Sequence, residues 1–332
     1  MNVVLIILVF TAGLLFLLEL LLRLLGFGNP LIYIADADCG YLLAPNQRVR
    51  RLGNRIEINE YSMRSRSIAP LPAPETLRVL LLGDSVANGG WWTHQTDTIS
   101  EITARQLRLQ VSTLTVDAQL LSKVNYGEFE VLNASANSWG PRNQLACAKR
   151  FGLFGAKVVV LLLNTDDLFA SAPCAAVVGR DRSYPDRKPP LATVELLSRF
   201  LLPALPAGTP TAQGAENGDA ENGDKVSCNL EAIRQIQTIA VSANVQLLLG
   251  LTPKRHELGE PGSRDWEAKA RSRLAELAAD LKITYIDFLP IFNCAAQFSS
   301  LYRDSIHLSP QGNQLVSKTL SRQIVTLFSH KS

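Results

Sequence analysis

Short apolar runs alternate with amphipathic segments along the chain from residue 77 onward. Each run is rich in Val, Ile and Leu, which is typical of strands that are buried on both faces of a sheet. The predicted strands span residues 78–82, 129–133, 157–163, 245–251 and 283–287. The predicted helices span residues 99–108, 142–151, 230–243, 264–281 and 310–328. This alternation predicts the α/β class, with a three-layer α/β/α sandwich built on a parallel sheet.

A different pattern opens the chain, where the segment from Val3 to Leu22 is almost wholly apolar and Glu19 is its only charge. A helix that crosses a bilayer needs about 20 such residues. A buried core helix and a cleaved signal peptide are the alternatives, and Ala35-Asp36-Ala37 resembles a cleavage site. That site lies well past the apolar run, and no Lys or Arg precedes the run. We therefore predict an uncleaved transmembrane anchor at residues 1–26, in which Glu19 pairs with Arg23 one turn further on.

The rest of the chain divides into a juxtamembrane lead-in at residues 27–76 and a main domain at residues 77–330. An insertion at about residues 171–228 interrupts the strand–helix rhythm of the domain. It contains a possible short helix at residues 194–202 and a near-duplicated polar tract at residues 214–224. Such a tract cannot bury apolar surface, so we expect a mobile loop. The insertion either shapes a substrate entrance or is a neutral surface addition.

Composition narrows the function classes. The 332 residues carry a net charge of +3 with no basic stripe, which does not indicate nucleic-acid binding. Four histidines show no metal-ligand spacing, and five cysteines form no Cys-x-x-Cys pair, so a zinc site is not expected. Cys174 and Cys228 flank the variable part of the insertion, and either they pair or all five cysteines are free thiols.

The first candidate for chemistry is Ser85, which follows Gly83 and Asp84 where the first predicted strand of the domain ends. Ligands bind at the carboxyl ends of the strands in open parallel sheets. A serine hydroxyl is a useful nucleophile only when a neighbouring base takes its proton. An isolated Asp-Ser pair is more typical of an ordinary helix N-cap, so a second signal is needed.

The second signal is at the other end of the domain. Asp304 and His307 follow the last predicted strand and precede the last predicted helix, so they belong to the same edge of the sheet. Their spacing puts both side chains on one side of a turn. An acid in that place holds the imidazole in the tautomer that accepts a proton from serine. Ser85, His307 and Asp304 are therefore the candidate nucleophile, general base and orienting acid.

Several sequence blocks around these residues resemble those of the SGNH (GDSL-like) hydrolase superfamily. Residues 83–85 match its first block, and residues 304–312 match its last block, which usually reads like DGxHLSPxG. Residues 131–141 and 164–168 resemble its second and third blocks. The lead-in at residues 58–64 is similar to that of membrane-anchored members, which are often linked to cell-envelope polysaccharide. The resemblance implies a flavodoxin-like sandwich, and for this chain a single-pass protein with its domain on the extracytoplasmic side.

The resemblance also implies an oxyanion hole made by the backbone N–H groups of Ser85 and Ser138. Ser138 stands where the second block usually has glycine, and its N–H survives that change. Asp166 stands where the third block usually has asparagine, and a carboxylate there would repel an oxyanion. Asn164 is the predicted third donor, and Asn137 is the alternative.

Three tryptophans lie beside these blocks. Trp91 and Trp92 follow the candidate nucleophile, and Trp139 lies in the second block. Aromatic rings suit sugar faces or acyl chains, and they equally fill cores. Both roles stay open for these three side chains.

The predicted function is that of a serine esterase or acyl hydrolase that acts through an acyl-enzyme on an ester such as an O-acetylated carbohydrate. One alternative is an O-acyltransferase that modifies an envelope polysaccharide. Another is a non-catalytic glycan-binding or assembly protein with a degenerate site. The chemistry needs no cofactor and no metal. The expected partners are a small ester or acylated glycan as substrate and a membrane through the first helix, with no nucleic acid.

Overall fold

A central sheet of five parallel strands organises the molecule, which a computed structural model describes at residues 3–112, 126–201 and 224–329. Nine strands are present in these residues: β1 Tyr33–Asp36, β2 Gly40–Leu43, β3 Gln47–Arg51, β4 Asn54–Ile58, β5 Thr76–Gly83, β6 Glu128–Ser135, β7 Val158–Asn164, β8 Gln246–Thr252 and β9 Thr284–Asp287. The central sheet has the order β6-β5-β7-β8-β9. All four pairings are parallel, so the carboxyl ends of its strands meet at one edge.

Helices cover both faces of this sheet. The helices of the described residues are α1 Val3–Leu24, α2 Ser85–Asn88, α3 Ile99–Ser112, α4 Pro141–Phe151, α5 Ala192–Leu196, α6 Lys225–Ser242, α7 Asp265–Asp280, α8 Phe288–Asn293 and α9 Pro310–Ser329. Successive side chains of a strand point to opposite faces. In β5, Val79 and Leu81 pack with α3, α8 and α9, whereas Leu80 and Leu82 pack with α4, α6 and α7. The predicted α/β/α sandwich with a parallel sheet is confirmed.

The lead-in contains two antiparallel hairpins, β1–β2 and β3–β4, that its sequence pattern did not reveal. Their strands have four or five residues, which is too short for a periodic signal. Tyr41 and Ile56 of the hairpins are buried in the same core as Leu82 and Leu145 of the sandwich. The indole Nε1 of Trp139 donates a hydrogen bond of 3.1 Å to the carbonyl of Tyr41, across 98 residues of sequence.

The first helix, α1, differs from all the others because its side chains are exposed and Leu22 alone is buried. Its apolar window has a mean hydropathy of 2.8. A helix of 22 residues is about 33 Å long, so it fits a membrane span or a signal sequence by length and composition. Glu19 and Arg23 form the expected ion pair, with a distance of 2.7 Å.

The insertion contains helical structure on its amino-terminal side. The short helix α5 continues into a π-helical turn at Leu197–Leu201, close to the predicted helix at residues 194–202. The polar tract predicted to be a mobile loop lies, up to residue 223, outside the described residues. All five cysteines belong to the described parts of the chain, and each is a free thiol.

Replacing Trp139 with Phe should lower the free energy of unfolding. The change leaves the buried carbonyl of Tyr41 without its donor, which costs about 1–3 kcal/mol. Trp266→Phe is the matched control, because Trp266 is 44% exposed and should tolerate the change within ~0.5 kcal/mol. Denaturant unfolding of the full chain in detergent, followed by circular dichroism, measures both. Equal stability of the two variants would show that the hairpin contact is energetically unimportant.

Candidate active site

The turn after β5 presents Ser85 at the first position of α2. Asp84 caps this helix, because its Oδ1 accepts a hydrogen bond of 2.8 Å from the backbone N–H of Val86. A Cβ atom at Gly83 would lie 2.5 Å from the Cβ of Ala87 and 2.9 Å from the carbonyl oxygen of Leu162. Glycine is therefore required here, because any side chain would prevent the turn from closing tightly over the end of the strand.

Ser85, His307 and Asp304 are brought together by the fold. The Oγ of Ser85 lies 2.9 Å from Nε2 of His307, and Nδ1 of His307 lies 2.8 Å from Oδ2 of Asp304. An ionised carboxylate only accepts hydrogen bonds, so the proton of the neutral imidazole is on Nδ1. Nε2 is then free to accept the proton of the serine hydroxyl.

Asp304 is held in its ionised form by its own turn. Partial burial acts to raise its pKa, but hydrogen bonds from the backbone N–H groups of His307 and Ile306, and from the imidazole, hold the pKa below its usual value. The two backbone bonds measure 2.8 Å and 3.0 Å and both reach Oδ1. The same turn therefore fixes the position of the acid and its charge.

The turn that carries Asp304 and His307 is anchored on the loop after β8. The backbone N–H of Arg255 donates 2.9 Å to the carbonyl of Ser305. The hydroxyl of Tyr302 donates 2.5 Å to the carbonyl of Pro253. A short bridge between Tyr302 and Leu308 closes the turn. These contacts bring the last sequence block to the same edge as Ser85.

Ser138 lies in a left-handed backbone conformation, with φ of 58°. This region of φ favours glycine, which explains why glycine is usual at this position of the block. The side chain of Ser138 is exposed, and its Oγ accepts a hydrogen bond of 2.8 Å from the hydroxyl of Tyr184 in the insertion. Among the described residues, no acceptor is bonded to the backbone N–H of Ser85 or Ser138, so both N–H groups are available to a ligand.

Asn164 is buried beside the nucleophile turn instead of facing open space. Its Nδ2 donates 2.6 Å to Oδ2 of Asp84, and its Oδ1 accepts 2.7 Å from the backbone N–H of Asp166. One of its two amide hydrogens is therefore used on Asp84. Asn137, the alternative third donor, is half-buried, and its carbonyl accepts a hydrogen bond of 2.6 Å from the Tyr41 hydroxyl.

Asp84 and Asp167 form a buried pair of carboxyl groups around Asn164. Burial raises the pKa of Asp84, and this outweighs the hydrogen bonds from Val86 and Asn164 that would lower it. Burial, together with the charge of Asp84, raises the pKa of Asp167 well above its usual value. Asp167 also accepts a hydrogen bond of 2.9 Å from the backbone N–H of Asn164.

The carboxylate at the third-block position is neutralised by a neighbour. The Nζ of Lys254 lies 2.8 Å from Oδ1 of Asp166. Lys254 is in the loop after β8, which also supports the turn of Asp304 and His307. The ion pair offsets the repulsion that a lone Asp166 would exert on a developing oxyanion.

The tryptophans separate into two roles. Trp139 is buried in the core, so a substrate contact is not its function in this structure. The Trp92 ring packs edge-on against the His307 imidazole, with 4.5 Å between centroids. The guanidinium of Arg303 lies 4.5 Å from the centroid of Trp92 and 5.2 Å from that of Trp91. Trp91, Trp92 and Arg303 thus line the approach to the imidazole.

Arg64 is a structural part of the site that sequence reasoning missed. It is fully buried, and its guanidinium donates to the carbonyls of Asn88, Gly90 and Thr93 at 2.6, 2.5 and 2.5 Å. The Asn88 carbonyl ends α2, and the other two belong to the loop that follows α2 and contains Trp91 and Trp92. The sequence signal for this role was the arginine within residues 58–64, the segment that is similar to the lead-in of membrane-anchored hydrolases.

A small open cavity of about 50 Å³ adjoins the loop after α2. The lead-in forms one wall and the insertion forms another, and neither contribution was predicted. Its polar and aromatic lining consists of Asn29, Tyr33, Arg51, Trp91, Asn137, Ser183 and Arg199. Within the described residues, the Oδ1 atoms of Asn29 and Asn137 are buried without a hydrogen-bond partner. Two acceptors are therefore available to a ligand in this space.

One protein family and several solved structures are similar to this chain. The GDSL-like lipase/acylhydrolase family matches residues 81–315, a span that contains Ser85, Asp304 and His307. No curated protein sequence matches the chain. The solved acetyl xylan esterase AlAXEase is 14% identical, with a TM-score of 0.44 over 75% of this chain and 100% of its own. Axe2, an acetylxylan esterase from Geobacillus stearothermophilus, is 12% identical, with a TM-score of 0.48 over 76% of this chain and 96% of its own. A lipase/acylhydrolase from Enterococcus faecalis is 13% identical, with a TM-score of 0.41 over 76% and 96%.

Asp167→Asn should stabilise the protein at neutral pH and leave it unchanged in acid. The folded chain keeps the Asp167 proton to higher pH than the unfolded chain, whose carboxyl ionises near pH ~4. The parent therefore loses stability as pH rises above that value, whereas asparagine has no proton to lose.

Thermal unfolding of the full chain in detergent between pH 4 and 8 measures this difference. The Tm of Asp167→Asn minus that of the parent should grow with pH. Asp280→Asn, at an exposed site on α7, should show no such trend. A difference that shrinks as pH rises would contradict the raised pKa.

Proposed function

This chain belongs to the GDSL-like lipase/acylhydrolase family and is an ester hydrolase, and we propose that it deacylates an O-acylated carbohydrate through Ser85, His307 and Asp304. The observation that carries the proposal is the hydrogen bond of 2.9 Å between Ser85 Oγ and His307 Nε2. A serine and an imidazole at that distance can exchange a proton during attack on a carbonyl.

In the first half of the reaction, Ser85 Oγ bonds to the carbonyl carbon of the ester while its proton passes to His307 Nε2. The imidazolium that forms is stabilised by Asp304. The tetrahedral intermediate then collapses, the bond to the alcohol oxygen breaks, and Nε2 gives its proton to that oxygen. The sugar leaves with a free hydroxyl, and the acyl group stays on Ser85.

In the second half, water attacks the acyl-enzyme while His307 Nε2 takes one of its protons. The carboxylic acid leaves when Nε2 returns that proton to Ser85 Oγ. In both halves the backbone N–H groups of Ser85 and Ser138 bind the oxyanion. One such donor typically contributes ~10²–10³ in rate.

Asn164 acts on the nucleophile through Asp84 in this scheme. Its amide donates to Asp84, whose other oxygen caps the turn that presents Ser85. We therefore assign Asn164 as a positioning residue. Lys254 keeps the Asp166 carboxylate from opposing the oxyanion, because it pairs with it at 2.8 Å.

The cavity beside Trp91 supports a carbohydrate as the alcohol part of the ester. Asn29 and Asn137 supply buried acceptors for hydroxyl groups, and Trp91 supplies an aromatic face. Arg51 and Arg199 share one partner, Glu195, at 2.9 and 3.0 Å, so the cavity keeps a net positive charge. A cavity with a few converging polar groups and one aromatic wall is typical of a small-molecule site.

Ser85→Ala should abolish hydrolysis of p-nitrophenyl acetate by the full chain in detergent. Loss of the nucleophile of a triad costs ~10⁶ in kcat. Ser305→Ala is the control, since Ser305 is exposed in the catalytic turn and should retain the parental rate. A fluorophosphonate probe should label the parent and Ser305→Ala but not Ser85→Ala. Full activity of Ser85→Ala would refute the mechanism.

Trp91→Ala should show whether the site recognises the sugar part of the ester in addition to its acyl group. For partially O-acetylated cello-oligosaccharides we expect KM to rise about 2- to 13-fold, since an aromatic contact contributes ~0.5–1.5 kcal/mol. For p-nitrophenyl acetate we expect little change, because that ester has no sugar to place in the cavity. Trp266→Ala, at an exposed site on α7, is the control. Equal losses on both esters would contradict a carbohydrate subsite, and release of free acetate distinguishes hydrolysis from transfer.

A further inference from the structure

The last turns of α1 are joined to the insertion by a specific set of polar contacts. The Glu19 carboxylate accepts hydrogen bonds from the backbone N–H groups of Ala192 and Thr193 at 2.8 and 2.9 Å, and from the Thr193 hydroxyl at 3.1 Å. Arg23 completes the arrangement, because it pairs with Glu19 and donates 3.1 Å to the carbonyl of Pro190. Glu19 therefore caps the amino terminus of α5.

An apolar contact and a buried ion pair extend this junction. Leu22 and Phe27 form a small buried cluster with Ala192. Glu195 of α5 pairs with the buried Arg51 of β3 at 2.9 Å and accepts a hydrogen bond of 2.6 Å from the backbone N–H of Gly28. The helix α5 is thus held against both α1 and the lead-in.

The position of Glu19 fixes the level of α5 along α1. Glu19 lies five residues before Leu24, where α1 ends, which is about 7.5 Å along the helix axis. A charged side chain inside hydrocarbon is costly, so such residues in a span pair with other polar groups or lie near the interface. Glu19 meets both conditions if the bilayer surface is at the level of α5.

The outer side of α5 is apolar at the same level. Leu191, Val194 and Leu197 are 46%, 40% and 46% exposed. They belong to the segment that Glu19 of α1 contacts, and every leucine of α1 except Leu22 is exposed. An exposed apolar patch beside an apolar helix is typical of a surface that contacts lipid.

We propose that α5 lies in the interface of a lipid bilayer that α1 spans, with Leu191, Val194 and Leu197 against the acyl boundary and Glu19 as its cap. In this arrangement α1 is a retained part of the folded protein. Removal of the chain up to Ala37 would leave the N–H groups of Ala192 and Thr193 without their acceptor and would remove Gly28 from Glu195.

The proposal connects the membrane surface to the candidate site. The insertion that contains α5 also contains Tyr184, whose hydroxyl donates to Ser138 Oγ, and Pro185, whose carbonyl accepts 2.8 Å from the backbone N–H of Tyr33. Ser138 is therefore joined by hydrogen bonds to the same insertion that we place at the membrane surface. The proposal stands on α1 and α5 and does not depend on the catalytic assignment.

The test measures the depth of α5 in nanodiscs of phosphatidylcholine and phosphatidylglycerol, with the full chain. Val194→Cys is labelled with an NBD fluorophore in a background that carries Cys174→Ser, Cys228→Ser and Cys294→Ser, because those three thiols are at least partly exposed, and quenching by lipids brominated on the acyl chain is recorded. Val241→Cys is the matched control, since Val241 is 64% exposed on α6. We expect quenching at residue 194 to exceed that at residue 241 at least threefold. Equal quenching at the two positions would overturn the proposal.

Two further measurements test Glu19 and the retention of α1. In Glu19→Leu the quenching at residue 194 should fall at least twofold, whereas Glu19→Gln, which keeps an acceptor oxygen, should stay near the parent. Circular dichroism of each variant confirms that the domain is folded at the temperature used. Unchanged quenching in a folded Glu19→Leu chain would refute the cap. An intact mass lacking residues 1–37 in protein extracted from membranes would refute a retained span.

Discussion

The hydrogen bond between Ser85 and His307 joins residues 222 positions apart, and much of the fold is needed to hold it. A parallel sheet meets that need because the carboxyl ends of all its strands meet at one edge. Ser85 follows β5, and the turn of His307 rests on the loop after β8. Two strand pairings, β5 with β7 and β7 with β8, separate these points, so the registers of the pairings set the distance between base and nucleophile.

Buried polar groups maintain this edge where the strands end. Arg64 holds the loop after α2 by its carbonyls, and Asn164 links Asp84 to the turn after β7. Beneath Lys254, the buried Glu257 accepts 2.5 Å from Thr165 Oγ1 and 2.7 Å from the backbone N–H of Lys254. Each unmatched donor or acceptor in a buried group of this kind lowers stability, so the hydrogen bonds that these residues make are important to the fold. They position the reacting residues, and the raised pKa values of Asp84 and Asp167 show that burial there has an electrostatic cost.

The segments outside the sandwich also belong to the site. The lead-in supplies Tyr41 from β2 and Arg64 from the segment after β4, and the insertion supplies Tyr184, which bonds to Ser138. The three tyrosines 33, 41 and 184 pack together with centroid distances of 5.9, 5.1 and 4.9 Å. Lead-in and insertion therefore form one wall over the second block, so segments outside the sandwich contact the candidate oxyanion site directly.

The sequence by itself determined the α/β/α fold, the family and the pair of Glu19 with Arg23, because each has a local pattern. Buried strands are uniform apolar runs, and the nucleophile turn needs a glycine that stands out in the sequence. The roles of Ser85, His307 and Asp304 were predicted in the same way, and the structure adds their distances. Only the tertiary structure decided that Asn164 binds Asp84, that Lys254 neutralises Asp166 and that Trp139 is buried while Trp92 contacts His307. Those outcomes depend on side chains far apart in sequence that meet after the strands have paired, and no local periodicity records such meetings.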